Sequence, residues 1–164
     1  EQMLSANVPS KLSHLKTMKE GFTLLRSFPM IGDFLAYQYI TDVNYSSITN
    51  FTEMEFVVAG PGALDGLKKC FPDMIVGDAS SLIQFVCEEQ DRFQAHYGVE
   101  PVRVCGRPLQ LIDCQNLFCE TDKYARIAHP DIKGYSGRTR IKQAYRTKGP
   151  LSTPVFPEKW QVNV

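Results

Sequence analysis

The chain has 164 residues, 43% of them hydrophobic and 22% charged, and its 18 basic and 18 acidic side chains cancel to zero net charge. That length carries one globular domain with its own core, and 7 Tyr, 10 Phe and one Trp with ordinary Gly and Pro usage exclude disordered, collagen-like and low-complexity classes. The charge is unevenly placed: residues 1–100 carry 7 basic against 13 acidic side chains, and residues 101–164 carry 11 against 5.

In chain order the periodicity is helical. Leu12, Leu15, Met18, Phe22, Leu25 and Phe28 recur at three- and four-residue steps, which predicts one amphipathic helix over Ser10–Phe28, ended by Pro29. Gly32–Tyr45 reads as a central helix apolar almost all round, with Gln38 and Asp42 inside it. Thr52-Glu53-Met54-Glu55 reads as a capping box opening a short helix, and Ala63–Phe71 as the next, stopped by Pro72. Asp78 or Ser80 caps a helix that runs to Gly98. Val99–Val104 is a short extended segment with no strand partner in view, and Leu109–Ala128 is a long helix ended by Pro130. A short helix around Thr139–Arg146 and a Pro-rich tail lying on the surface around Trp160 complete the chain. The expectation is a single all-α domain over 1–164 of about six to seven helices, its core spanning about 10–148 and its tail 149–164.

No apolar run approaches the roughly 18 residues that cross a membrane, and the N-terminus has neither the basic nor the apolar region of a signal peptide. Glu1 stands where a full-length chain would begin with Met, as in a piece of a longer protein. Cys70, Cys87, Cys105, Cys114 and Cys119 are odd in number and include no C-x-x-C pair, against both a complete disulfide framework and a standard zinc site. An intracellular protein is expected, nuclear if eukaryotic, with no membrane partner. His14, His96 and His129 lack ligand spacing.

Four constellations carry chemistry. Gly60-Pro61-Gly62, between two expected helices, allows a tight turn whose amides hold a phosphate, with Lys68 and Lys69 following as backbone contacts and Gly66 letting helices approach. Asp113, Asn116, Glu120 and Lys123 fall within roughly 80° of one another on a helix, a polar stripe that activates a nucleophile, holds a divalent ion such as Mg, or binds an amine. Its bland alternative is a satisfied network with Glu120 and Lys123 as a surface pair. Gln38 and Asp42, followed by Asn44 and Tyr45, either cap neighbouring backbone or face the same pocket. Gly134-Tyr135-Ser136-Gly137-Arg138-Thr139-Arg140-Ile141-Lys142 presents amides, hydroxyls and guanidinium forks to phosphate, without the spacing of a Walker A motif.

The Gly-x-Gly turn resembles the helix-hairpin-helix of DNA-repair glycosylases. Enzymes of that type that cleave through a Schiff base place Lys where Leu64 stands, and their Asp lies about twenty residues on, where this chain has Leu82, Ile83 and Gln84 with Asp78 nearest. Taken in order, Phe34 to Ser46, Ala59-Gly60-Pro61-Gly62-Ala63, Ile112-Asp113-Cys114-Gln115-Asn116 with Cys119, Glu120 and Lys123, and Ser136-Gly137-Arg138-Thr139-Arg140 resemble one family. It is the helical domain of 5-hydroxymethyl-deoxyuridine DNA kinases and α-glutamyl/putrescinyl thymine pyrophosphorylases, related to the DNA-glycosylase fold. The resemblance spans roughly residues 10–160. It implies an enzyme acting on 5-hydroxymethyluracil or its pyrophosphorylated form in DNA, with the base flipped out and an amine or amino acid displacing pyrophosphate.

On that reading Asp42, Asp113, Glu120 and Lys123 are the catalytic candidates. Gln38, Asn44, Tyr45, Gln115, Asn116, Arg138, Arg140 and Lys142 bind substrate, and Gly60, Gly62, Lys68 and Lys69 hold DNA. No cofactor is required outright, and Mg is the one the carboxylates would take. The alternatives are a glycosylase-like enzyme cleaving a modified base, a non-catalytic DNA-binding or base-recognition module, and a purely structural domain attached to a kinase.

Overall fold

The computed structural model describes residues 1–141, 146, 149–150 and 152–162. Among them are eight α-helices and one two-stranded ribbon, so the all-α expectation holds. The N-terminal segment is not one helix. It forms α1 (Gln2–Ser5), α2 (Val8–Leu12) and α3 (Met18–Arg26). The break falls at Thr17, whose hydroxyl accepts the Glu20 N–H at 3.1 Å while the Glu20 carboxylate accepts the Thr17 and Lys16 N–H groups at 3.1 and 2.8 Å. Those backbone bonds hold the Glu20 carboxyl below its ordinary pKa. This capping box outweighs the apolar period, which crosses the break because Leu12 and Met18 enter the same core.

Helix α4 (Asp33–Asn44) crosses α3, with Gly21 pressed so close to Ile40 that an added Cβ would meet its Cδ1 at 2.4 Å. It is not buried all round: Ala36, Tyr37, Ile40, Thr41 and Asn44 face inward, whereas Phe34 and Tyr39 are 38% and 45% exposed. The segment Thr52–Glu55 forms a turn and no helix, so no helix pair flanks Gly60-Pro61-Gly62. Instead Gly60 is the N-cap and Pro61 the first residue of α5 (Pro61–Cys70). Glu53 and Glu55, read as the opening of a helix, reach across the fold instead, to Arg107 and to the Met18 N–H.

Asp78 closes a 3-10 turn over Val76–Asp78 by accepting the Ile75 N–H, and α6 (Ala79–Glu88) follows. The helix expected to continue to Gly98 breaks at Glu89 into α7 (Gln90–His96). The buried Gln90 amide donates to the carbonyls of Cys87 at 2.6 Å and Leu109 at 3.0 Å and accepts the Leu109 N–H at 2.8 Å, pulling the following connection onto the helix junction. Gly98, at φ +64°, stops α7 as anticipated. The connection itself is a ribbon, β1 (Arg103–Val104) against β2 (Arg107–Pro108), antiparallel with Arg103 opposite Pro108. Its two-residue turn needs left-handed backbone at Cys105 and Gly106, and both have positive φ.

Helix α8 (Leu111–Ala128) is the axis of the molecule. It packs along α5 at a contact only glycine permits, since a Cβ on Gly66 would lie 2.0 Å from the Phe118 carbonyl oxygen. Ala63, Leu67, Ile83, Leu111, Cys114 and Phe118 form the core between α5, α6 and α8. Thr139–Ile141 are not helical, and residues 142–145 of the short helix expected there lie outside the described residues. The tail returns over the surface and ends in a 3-10 turn, Glu158–Trp160. All five cysteines are free thiols, and no described helix is long and apolar enough to cross a membrane.

Because the obstacle at Gly66 is backbone rather than a rotatable side chain, Gly66→Ala is expected to cost about 2–3 kcal/mol and lower Tm by roughly 5–10 °C. Gly77→Ala, where nothing lies within 4 Å of the added Cβ, is the matched control in thermal denaturation followed by circular dichroism.

Candidate functional site

The residue blocks singled out in the sequence meet at the N-terminus of α5. Gly60 donates its N–H to Gln115 Oε1 at 3.2 Å, from a Gln115 wholly buried on α8. A Cβ at Gly60 would strike the Phe34 ring at 2.4 Å, and one at Gly62 would lie 3.1 Å from Cys119 Sγ. The α4, α5 and α8 blocks are therefore in direct contact. The basic loop joins them through Asp65, a buried carboxylate on α5. Asp65 Oδ1 accepts the Ser136 N–H at 2.8 Å, and Oδ2 accepts the Ser136 hydroxyl and the Arg138 guanidinium, the latter at 2.9 Å. Arg138 also donates to the Pro61 carbonyl at 3.1 Å, and Gly134 packs against Asp65 where a Cβ would come within 2.7 Å. Burial alone would raise the Asp65 pKa, but Ser136 and Arg138 together bring it below the ordinary carboxylate value.

The Asp113, Asn116, Glu120, Lys123 stripe is not gathered into one group. Asp113 is the third residue of α8 and accepts the Gln110 N–H at 2.8 Å. Its burial raises its pKa above the ordinary value, opposed by that hydrogen bond, reinforced by the Glu53 charge and opposed again by Arg107. Glu120 and Lys123 pair with each other at 2.5 Å on the surface, their side chains 65% and 48% exposed. The flanking Leu117 and Tyr124 are exposed as well, so this end of the stripe faces solvent. Asn116 accepts from Gln115 Nε2 at 2.7 Å.

Asn44 is consumed internally, its amide bonding Phe51 in both directions and accepting from Thr49, which fixes the turn after α4. Asp42 is exposed, while Gln38 buries an Nε2 that has no partner among the described residues. The two lysines expected on DNA are also engaged. Lys68 donates to the Pro72 carbonyl and lies over the Tyr135 ring, 5.2 Å from its centroid. Lys69, 4% exposed, pairs at 2.9 Å with Asp122, which also holds Arg126. Arg140 is exposed on the basic loop, and Lys142 lies outside the described residues. Among the described residues no three His, Cys, Asp or Glu side chains are gathered to hold a metal ion.

A second gathering went unseen in the sequence. Burial raises the pKa of both Tyr37 and Tyr45, and the charges of Glu53 and Asp113 raise it further; Asp42 also acts on Tyr45. Glu53 in turn pairs with Arg107 at 3.0 Å and accepts the Trp160 indole N–H at 3.2 Å. Asp65, between Leu64 and Gly66, and Asp122, four residues after Phe118 and three before Ala125, were readable as acids on apolar helix faces. Glu53, Arg107 and Trp160 lie far apart in sequence and carry no motif.

The folded Asp65 pKa lies below the unfolded value of about 3.9. The clasp therefore contributes stability above that value and loses it as pH falls through the folded pKa. Asp113 works in the opposite sense, its contribution present below the unfolded value and lost as pH rises through the raised folded one. Asp65→Asn is expected to accelerate tryptic cleavage after Arg138 by about tenfold, the effect of losing roughly 1.4 kcal/mol of local stability. Amide exchange over residues 134–138 should rise in the wild-type chain as pH is lowered below 4, after correction for intrinsic rates; unchanged protection would refute the clasp.

No curated protein and no solved structure matches the chain. A family model described as "5-hmdU DNA kinase, helical domain" matches residues 1–134, which include the α4 block, the Gly60-Pro61-Gly62 turn, all of α8 and Gly134 at the foot of the basic loop. The chain belongs to this family, the helical domain of 5-hmdU DNA kinases, and its role lies in the modification of a base in DNA.

Proposed function

We propose that the domain acts on 5-hydroxymethyluracil in DNA, in its pyrophosphorylated form, and replaces pyrophosphate with an amine. The observation that carries this reading is the clasp of Arg138 onto Pro61 and Asp65, which sets a guanidinium beside the α5 N-terminus. The Gly62 amide there belongs to the first turn, where a helix has donors without intrahelical partners. This face suits a pyrophosphate leaving group and the DNA backbone.

In the reaction the bond from the base methylene to the pyrophosphate oxygen breaks, and pyrophosphate departs with the electron pair. The amine nitrogen bonds to the methylene and gives up a proton. Asp113 is the proton acceptor we favour, because its half-buried carboxyl has a raised pKa, nearer the working range of a general base than a solvated carboxylate. Asp42 and the Gln38 amide, whose Nε2 has no partner among the described residues, lie one turn apart on α4 and would receive the amine and the base edge. Glu120 and Lys123, joined in solvent, take no part in the step. Gln115 and Asn44 position the turn and the α4 end rather than touching substrate.

The second reading, a base-recognition module without chemistry of its own, is favoured by the separation of Asp113 from the exposed Glu120–Lys123 pair. Incubation of the chain with DNA carrying thymine, 5-hydroxymethyluracil or its pyrophosphate, with a diamine, followed by nucleoside mass spectrometry, decides between them. We expect an amine adduct from the pyrophosphorylated base alone. Asp113→Asn should reduce its yield by about 100-fold or more, and Glu120→Gln should leave it unchanged. Release of free base would establish glycosidic cleavage instead, and binding without any product would establish the recognition module.

A further inference from the structure

The C-terminal segment ends in a slot that its last aromatic residue fills without satisfying. The Trp160 ring meets the Tyr45 ring edge-on at 5.4 Å between centroids, stacks on Phe156 at 6.2 Å, and lies under the Arg107 guanidinium, 4.3 Å from its centroid. Its N–H goes to Glu53 Oε1, which also receives Arg107 at 3.0 Å. The Glu53 side chain is only 10% exposed, and its other oxygen, Oε2, is buried with no partner among the described residues. Buried carboxylate oxygens are normally satisfied, and an indole has a single N–H to give.

The hold of the segment is slight. Among the described residues its hydrogen bonds to the body are the Trp160 bond and one from Lys159 Nζ to the Thr49 carbonyl at 2.9 Å. Residues 152–155 are exposed. Next to the slot, a cavity of about 600 Å³ lies between the tail and the hydroxyl- and amide-bearing turn of Ser46, Ser47, Thr49 and Asn50.

We propose that this slot is a nucleobase site selective for guanine, and that Trp160 is its plug in cis. A planar base would take the place of the indole under the Arg107 guanidinium and against the Tyr45 edge. Guanine presents two adjacent N–H donors on its pairing edge, one for each Glu53 oxygen. Thymine and uracil present one, leaving Oε2 as bare as the indole does. The sugar falls towards the adjacent cavity and its hydroxyls. The proposal stands apart from the reaction above: guanine binding without base modification supports the slot and counts against the reaction, and modification without guanine binding does the reverse.

Trp160 is the only tryptophan in the chain, so intrinsic fluorescence reports on the plug alone. The full chain is titrated with dGMP, dTMP and single-stranded oligonucleotides with and without one guanine, the oligonucleotides separating a free nucleotide from a base in DNA. A saturable red shift with dGMP or with the guanine-containing oligonucleotide, absent with dTMP and the guanine-free strand, is the expected result. By calorimetry, Trp160→Ala should bind the guanine ligand at least about tenfold more tightly, as removal of a competing state requires. Glu53→Gln should lose the preference over dTMP. Lys159→Ala, which loosens the segment without entering the slot, should tighten binding in the same direction. Unchanged emission with both guanine ligands, together with no gain in affinity for Trp160→Ala or Lys159→Ala, overturns the proposal.

Discussion

The close approach of α5 and α8 at Gly66 is the constraint on which the arrangement rests. With no side chain between Gly66 and the Phe118 backbone, the two helices lie near enough for every other contact along them to form. Gln115 reaches the Gly60 N–H at one end, Cys119 fits against Gly62 in the middle, and Lys69 reaches Asp122 at the other. A separation larger by one methyl group would unmake all three together, which is how an interior packed at crystal density transmits a local change. The site inherits its geometry from this contact, because the Gly60-Pro61-Gly62 turn is held from beneath by α8 rather than by a second hairpin helix.

Buried carboxylates do the long-range tying. Asp65 fastens the Ser136–Arg138 loop to a helix more than seventy residues earlier in the chain, and Glu53 ties the ribbon and the tail to the turn after α4. Asp65 takes its donors from one segment and acts as a latch on it, whereas Glu53 takes one donor from the ribbon and one from the tail and so joins the two. The Ser136–Arg138 loop, the ribbon and the tail are thereby placed on a helical body. The same arrangement explains why the basic C-terminal third does not simply hang in solution: part of its charge is spent on the body's acidic groups.

What the sequence made legible were features with a local period or a local signature. The extents of α4, α5 and α8 follow from apolar spacing, with Pro72 and Pro130 standing after the last two, and Gly66 was recognisable as a helix-approach residue, although its partner proved to be α8. The breaks were harder. Thr17 and Glu20 form a capping box inside a continuous apolar period, and Gln90 ends a helix by bonding a connection nineteen residues away. Thr52-Glu53-Met54-Glu55 carries the letters of a helix start, but Glu53 and Glu55 are committed to distant partners, and tertiary bonds outweighed the local signal. The polar stripe on α8 failed for a related reason: angular position says which residues share a face, not how far along the axis that face stays covered, and by Glu120 it has emerged into solvent.

Asp122 has a consequence for how this domain can change over time. It sits 1% exposed between Lys69 and Arg126, themselves 4% and 8% exposed, so one buried negative charge answers two positive ones. Removing the acid alone would strand two cations out of water, a larger loss than the ion pairs themselves confer. Positions 69, 122 and 126 are therefore one heritable unit, and an alignment of relatives should show them exchanged for apolar residues together or retained together, with the single replacements missing.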